Sequence, residues 1–403
     1  MLLAGSVYLL VTPAVVDGFL NGRTHWATRY PRTQEGQQLH ASLEVVADLH
    51  CDALLWPGRS LTERRVQDRR GHVDLERMQE GNMGLQAFFA PTKVPWTINV
   101  HKNSNDTYDL LTLLYRLARA EQRRPRSLLE RALHISSLLN DTSAHSNTLR
   151  DGNKEFTVVR SAPELEEFIA RRQLLRGVGE KSLPLAGLLG IEGLHCAEGR
   201  LESLDALYGA GFRLLGISHF FDNELGGSAH GEVKGGLTGF GKQFVKRMEE
   251  KELIVDLAHA SPAVIDDVLD TATRPPLFSH TGVQGTCQSP RNINDDHVIR
   301  TAALGGLIGI GFWEDATCGQ GPEDIVKAIR YVADLVGVEY VALGSDWDGA
   351  VSVNFGADEV YQLTEGLLAE VGEDGERRFS GSDIAAIMGG NTVRFLLQWL
   401  PQH

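Results

Sequence analysis

Apolar residues in this chain gather in short unbroken runs that stop on a polar side chain, with amphipathic stretches between them. Residues 184–195, PLAGLLGIEGLH, show this most plainly: the run stays small and apolar until Glu192, held between Ile191 and Gly193. About six to eight apolar residues bounded by turn residues form a strand buried on both faces. The same pattern predicts strands at 44–51 (EVVADLHC), 84–90 (GLQAFFA), 212–219 (FRLLGISH) and 253–259 (LIVDLAH). It predicts three more at 276–280 (PLFSH), 306–312 (GLIGIGF) and 340–346 (YVALGSD). Ser161-Ala-Pro-Glu164 is a capping box with Pro just inside the helix, so a helix should run to about Arg176. Further helices are expected at 108–120, 261–269, 295–304 and 322–336, and after Ser380, where Gly389-Gly390-Asn391 breaks the pattern.

Strands alternating with helices imply parallel pairing, and eight of them suggest a closed (β/α)8 barrel of the TIM type. An open doubly wound sheet is the alternative, but no Gly-rich phosphate loop follows the first strand. With no internal repeat or low-complexity linker, residues 41–403 read as one catalytic domain with an elaborated segment near 91–180. Residues 1–40 form an apolar N-terminal segment and lead-in.

Thirty-nine basic residues against 53 acidic give a net charge of −14, with no basic patch, which argues against nucleic acid as a partner. The densest basic stretch, 116–131 (RLARAEQRRPRSLLER), alternates with Leu, Ala and Glu and reads as a solvated helix face. Four cysteines, Cys51, Cys196, Cys287 and Cys318, are spread without CxxC spacing and define no disulfide framework by spacing alone. The opening MLLAGSVYLLVTPAVVDGFL is uncharged up to Asp17, lacks the basic start of a signal peptide, and is short for a span of about 20 residues. Cytoplasmic residence and a periplasmic or membrane-associated one through this segment both stay open, as does a homodimer.

Six of the eight runs end in ligand-type side chains: His50 and Asp52, Glu192, His219, His259, His280 and Asp346. In a barrel the strand C-termini share one face, where active sites are built, so these scattered residues should converge. A carboxylate at a strand end needs an opposite charge. Arg or Lys could supply it, yet none of the runs stops on either. His50-Cys51-Asp52 places His50 and Asp52 on one face and Cys51 on the other, by strand alternation. Imidazoles with carboxylates suit zinc, manganese or iron(II) better than calcium or magnesium. Five ligands exceed one tetrahedral zinc, so two metals bridged by Glu192 are expected, one with His50 and Asp52, the other with His259 and His280. A hydroxide shared by such a pair would be the nucleophile. Asp346 in GSDWDG is the expected general base and acid, with Asp348 as competitor; His219 is a candidate oxyanion donor and Arg291 a candidate carboxylate clamp.

Taken together, ADLHCD, GIEGLH, GISHFFDNELGGSAHG, DLAHAS, FSHT, RNINDD, GSDWDG and GGN resemble the membrane dipeptidase (renal dipeptidase) family, in the right order from about residue 45 to 396. The resemblance implies a (β/α)8 barrel with two zinc ions that hydrolyses dipeptides bearing a free amine and a free carboxylate. It implies His50, Asp52, Glu192, His259 and His280 as ligands, Glu192 bridging. His219 and Arg291 would contact substrate, and Asp346 would move the proton. It allows a D-residue at the C-terminal position and some β-lactam hydrolysis. Leu49 and Cys51 depart from the family's frequent Gly and Asn, and EGLH replaces EGGH, so Leu194 adds bulk beside the bridging carboxylate. His195 matches the family's motif histidine and is expected behind the ligands. Hydrolysis of another amide, an ester or a lactone, and a non-catalytic metal- or peptide-binding barrel, are the competing readings.

Overall fold

The computed structural model describes residues 13–22, 30–56, 59–62, 71–117, 127–146, 155–372 and 374–403. Its centre is a ring of parallel strands: β1 (Val46–Cys51), β2 (Met83–Pro91), β4 (Leu185–Glu192), β5 (Phe212–Gly216), β6 (Ile254–Asp256), β7 (Leu277–Thr281), β8 (Leu307–Ile310) and β9 (Val341–Leu343). Pairing of β2 with β4 and of β1 with β9 closes the ring, so the eight predicted strands make a (β/α)8 barrel. A ninth strand, β3 (Phe156–Val158), lies outside the ring on the lower half of β4. Its three residues fall below the length at which an apolar run separates from loop.

Two apolar layers follow from strand alternation. Inside the ring, Ala47, Leu85, Ala87, Leu188, Leu214, Ile254, Leu277, Leu307 and Ala342 fill the barrel, and Phe168, Phe395 and Leu396 plug its lower end. Outside, Phe88, Leu189, Leu215, Phe278 and Ile308 meet the helices through residues such as Phe244, Val264 and Ile329. Cys51 belongs to this outer layer, opposite His50 as expected, although plain alternation from Ala47 and Leu49 inside the ring would turn it inward. The neighbouring His50 does not follow alternation alone. The pairing register shifts between Asp48 and Cys51, and there the His50 ring stacks on Phe89, an interior residue.

Helix caps fall where the sequence places them. Ser161 accepts from the Glu164 amide and the helix runs Ala162–Gly177; Ser261 does the same for Pro262–Thr271. The break at Gly389 has a steric cause, since a Cβ there would come within 2.2 Å of the Val45 carbonyl oxygen. The arginine-rich stretch departs from expectation. Residues 118–126 lie outside the described residues, but Arg131 is buried, donating to the Thr92 carbonyl (2.7 Å) and the Asp109 carboxylate (2.5 Å). It is an internal tie for the segment after β2 rather than part of a solvated face.

Cys287 and Cys318 are joined in a disulfide, which ties the loop after β7 to the loop after β8. Spacing could not disclose this, because the barrel's curvature is what makes the two loops neighbours. Residues 1–12 of the apolar start lie outside the described residues; a helix covers Pro13–Leu20, and no described helix is long and apolar enough to cross a membrane. The lead-in joins the barrel before residue 41. Thr33 donates to Glu365, and His40 reaches the Gly81 carbonyl and Thr364.

Candidate metal centre at the barrel mouth

Strand ends bring His50, Asp52, Glu192, His259, His280 and Asp346 into one buried cup. Glu192 is its centre: its Oε1 lies 3.6 Å from His50 Nε2, 3.0 Å from His259 Nε2, 3.5 Å from His280 Nε2 and 3.4 Å from His219 Nε2. His50 Nε2 also stands 3.6 Å from Asp52 Oδ1 and 3.8 Å from Asp346 Oδ1. Three overlapping groups could each hold an ion: His50, Asp52 and Glu192; Glu192, His259 and His280; and His50, His280 and Asp346. β6 and β9 end three residues short of their site residues, which sit instead on left-handed backbone, His259 at φ 63° and Asp346 at φ 60°. Such a conformation is uncommon outside glycine and persists where the surroundings impose it, often at functional sites. Here the Ala229 amide donates to the His259 carbonyl and the Gly349 amide to that of Asp346.

The hydrogen-bond network fixes which imidazole nitrogen faces the cup. His230 Nδ1 meets the Val100 carbonyl at 2.6 Å and must donate, so its Nε2 accepts from His259 Nδ1 at 3.1 Å. The lone pair of His259 therefore lies on Nε2, toward Glu192. Ser279 Oγ donates to Asp256 Oδ2 at 2.6 Å and is left to accept from Nδ1 of His280 (2.9 Å) and of His50 (3.3 Å). That again leaves both Nε2 lone pairs in the cup. Outer partners of this kind fix the tautomer and orientation of metal-binding histidines.

Electrostatics point the same way. Burial holds His259 and His280 far below the usual imidazole range and His50 at about 3, so all three are neutral. Burial, and behind it the charge of neighbouring carboxylates (Asp348 on Asp52, and Asp52 on both Glu192 and Asp346), push all three well above the carboxylate range. His50 Nε2, Asp52 Oδ1 and Glu192 Oε2 are buried without a hydrogen-bond partner. Crowded carboxylates beside neutral imidazoles, with buried donor atoms unsatisfied, match the needs of divalent cations with N and O ligands. The residues fit the metal the sequence implies.

His219 and Arg291 border the same cup. His219 is buried and held neutral by burial, with no partner at Nδ1. Arg291 donates from Nη2 to the His280 carbonyl at 2.6 Å, stacks over Trp313, and keeps a buried Nε without a partner. Burial lowers its pKa to about 10 against the pull of Asp346 and Glu192, so it stays charged at neutral pH. His195 lies behind His219, as expected: a Cβ on Gly193 would come within 2.8 Å of both side chains, and the His195 ring stands edge-on to Phe221.

Asp348, the competitor of Asp346, faces elsewhere. It is fully buried, paired with Arg59 at 2.8 Å, and accepts the amides of His72 (2.8 Å) and Val73 (3.2 Å). Although burial opposes it, Arg59 and His72 together bring its pKa well below the ordinary carboxylate value. Asp17 shares the same guanidinium but is raised by burial, so the ionised partner of Arg59 is chiefly Asp348. A depressed folded pKa contributes stability above the unfolded value of about 4, lost as pH falls through the folded value. Asp348→Asn should therefore cost about 3 kcal/mol at pH 7 by leaving Arg59 without its main counterion, and this difference should begin to shrink once the pH falls below about 4. Urea unfolding of both proteins at pH 7 and near pH 3 checks it.

Sequence reading missed Asp256, Ser279 and His230, the residues behind the histidines. A faint signal existed in the charged residue inside LIVDLAH and the hydroxyl beside His280 in FSHT.

Residues 33–399 match the sequence model of the membrane dipeptidase family, peptidase family M19. Among curated proteins, dipeptidase verJ of Clonostachys rogersoniana is 27% identical over 332 residues, covering 81% of this chain and 76% of that protein. Dipeptidase aclJ of Aspergillus oryzae is 31% identical over 219 residues, 53% of this chain and 51% of its own length. The matched region thus spans about half of that relative. Among solved structures, a metallopeptidase from Rhodobacter sphaeroides liganded with a phosphinate mimic of L-Ala-D-Ala shares the fold, with TM-score 0.65, 20% identity, and coverage of 88% of this chain and 99% of that one.

Proposed function

Since the chain belongs to the membrane dipeptidase family and is accordingly a metal-dependent peptide-bond hydrolase, we propose that it is a two-zinc dipeptidase with Glu192 shared between the ions. His50 and Asp52 would complete one site, His259 and His280 the other; manganese or iron would suit the same donors. Zinc held there would supply a water of lowered pKa and polarise the scissile carbonyl. The observation that carries the reading is the convergence of three imidazole lone pairs and unpaired carboxylate oxygens on one buried point.

The protein's own groups then divide the work. Asp346, at the rim of the cup, takes the proton of the attacking water and returns it to the leaving amine. Neutral His219 donates to the carbonyl oxygen as charge develops there. Arg291, with its Nε free to donate, holds the substrate carboxylate and so sets where the peptide bond lies. The R. sphaeroides neighbour's mimic of L-Ala-D-Ala makes a D-residue at the carboxylate end a natural substrate to include.

The clamp separates a dipeptidase from a general amide, ester or lactone hydrolase. Converting a good dipeptide to its C-terminal amide should raise KM or abolish cleavage. Arg291→Met should reduce kcat/KM for the free dipeptide by about 10- to 100-fold, the scale of a charged hydrogen bond, and by far less for the amide. Equal cleavage of acid and amide would remove the dipeptidase assignment.

A further inference from the structure

We propose that this site selects dipeptides whose amino-terminal residue carries a large apolar side chain, of the leucine or phenylalanine kind; the proposal rests on the dipeptidase reading, with Arg291 at the substrate carboxylate. A cavity of about 420 Å³ opens directly over the metal cup, with Asp52, Glu192, His219, His259, Arg291 and Asp346 at its base. Its side wall is of a different chemistry. Leu55, Trp56, Val94, Leu111 and Leu114 form an apolar cluster separate from the two barrel layers, with Leu110 packed against it, and all six line the cavity. At the mouth the wall continues into Trp96 and Ile98, which stay 51% and 48% exposed. Large apolar groups left half-open beside a catalytic cup mark a surface that a ligand covers.

Topology places this wall relative to the clamp. It is built by the chain after β1 and after β2, whereas Arg291 follows β7. In the ring order β7 lies four places from β2 in either direction, diametrically across the barrel. A dipeptide whose carboxylate meets Arg291 and whose peptide bond lies over Glu192 directs its amino-terminal residue away from β7, toward the apolar wall. Its carboxy-terminal side chain stays near Arg291, Trp313 and Asp315, where the lining is mixed and charged. Selectivity should therefore be one-sided.

The test uses the zinc-loaded full chain. kcat/KM is measured for Ala-Ala, Leu-Ala and Phe-Ala and for the reversed Ala-Leu and Ala-Phe, and calorimetry gives dissociation constants for reduced-amide (CH2–NH) analogues of Phe-Ala and Ala-Phe. Leu-Ala and Phe-Ala should exceed Ala-Ala by about 10- to 200-fold, the range for added apolar groups in a hydrophobic pocket. The reversed peptides should gain no more than a few-fold, and the Phe-Ala analogue should bind more tightly than the Ala-Phe one. Leu110→Asn, on the half-buried part of the wall, should shrink the Phe-Ala to Ala-Ala ratio by about tenfold. Ala-Ala cleaved as well as Phe-Ala, or an advantage appearing for Ala-Phe instead, overturns the proposal and leaves the dipeptidase reading intact. No cleavage of any peptide together with no analogue binding defeats both.

Discussion

Asp346→Asn is expected to lower kcat by about 100- to 10,000-fold while metal content stays close to that of the parent protein. The amide keeps the size of the side chain and the left-handed turn on which it sits, but cannot take a proton. Metal content makes the experiment decisive, because the same carboxylate lies 3.8 Å from His50 Nε2 and could serve as a ligand together with His280. Loss of one ion along with activity would make Asp346 a ligand; loss of activity alone makes it the proton carrier. Near-parental turnover would remove it from the chemistry. Asp348→Asn is the control: it faces Arg59 and should affect stability rather than proton transfer.

Glu192→Gln should act on the metal itself. One carboxylate oxygen lies within 3.6 Å of the cup-facing nitrogens of His50, His259 and His280, so a neutral amide removes the charge that would hold two cations side by side. Even outer-shell changes weaken metal affinity by about 10- to 100-fold, and loss of a shared ligand should exceed that. The variant is expected to retain one ion or fewer after dialysis and to lose activity with it. Its metal-free form should be no less stable than the metal-free parent, because it no longer buries a carboxylate among Asp52 and Asp346. A variant that kept full metal occupancy would displace Glu192 from the centre of the site.

The barrel and the convergence of polar side chains at its mouth were legible in the sequence for one reason: strands buried on both faces are apolar throughout, so a ligand-type side chain at their end stands out. Glu192 after PLAGLLGI and His280 after PLFS are such cases. What escaped was whatever depends on partners brought together by the fold. The roles of His230 and Asp348 are set by Val100 and Arg59, and nothing in sequence joins those pairs. Arg131 reads as solvent-facing from its charged neighbours, yet it buries itself against Asp109. The turn of His50 into the cup depends on a register shift that a simple alternation of faces does not contain. The apolar wall near residues 94–114 was equally hidden, since its residues look like ordinary helix and loop apolars until the barrel places them over the cup.

The central claim is that two metal ions in this cup perform peptide hydrolysis. The most direct measurement is metal content per chain by elemental analysis, paired with turnover of L-L and L-D dipeptides before chelation, after chelation, and after zinc is restored. Close to two zinc ions per chain, with cleavage lost on chelation and recovered on zinc addition, is the predicted result. One ion or none, with no cleavage of any dipeptide after zinc is restored, would contradict it.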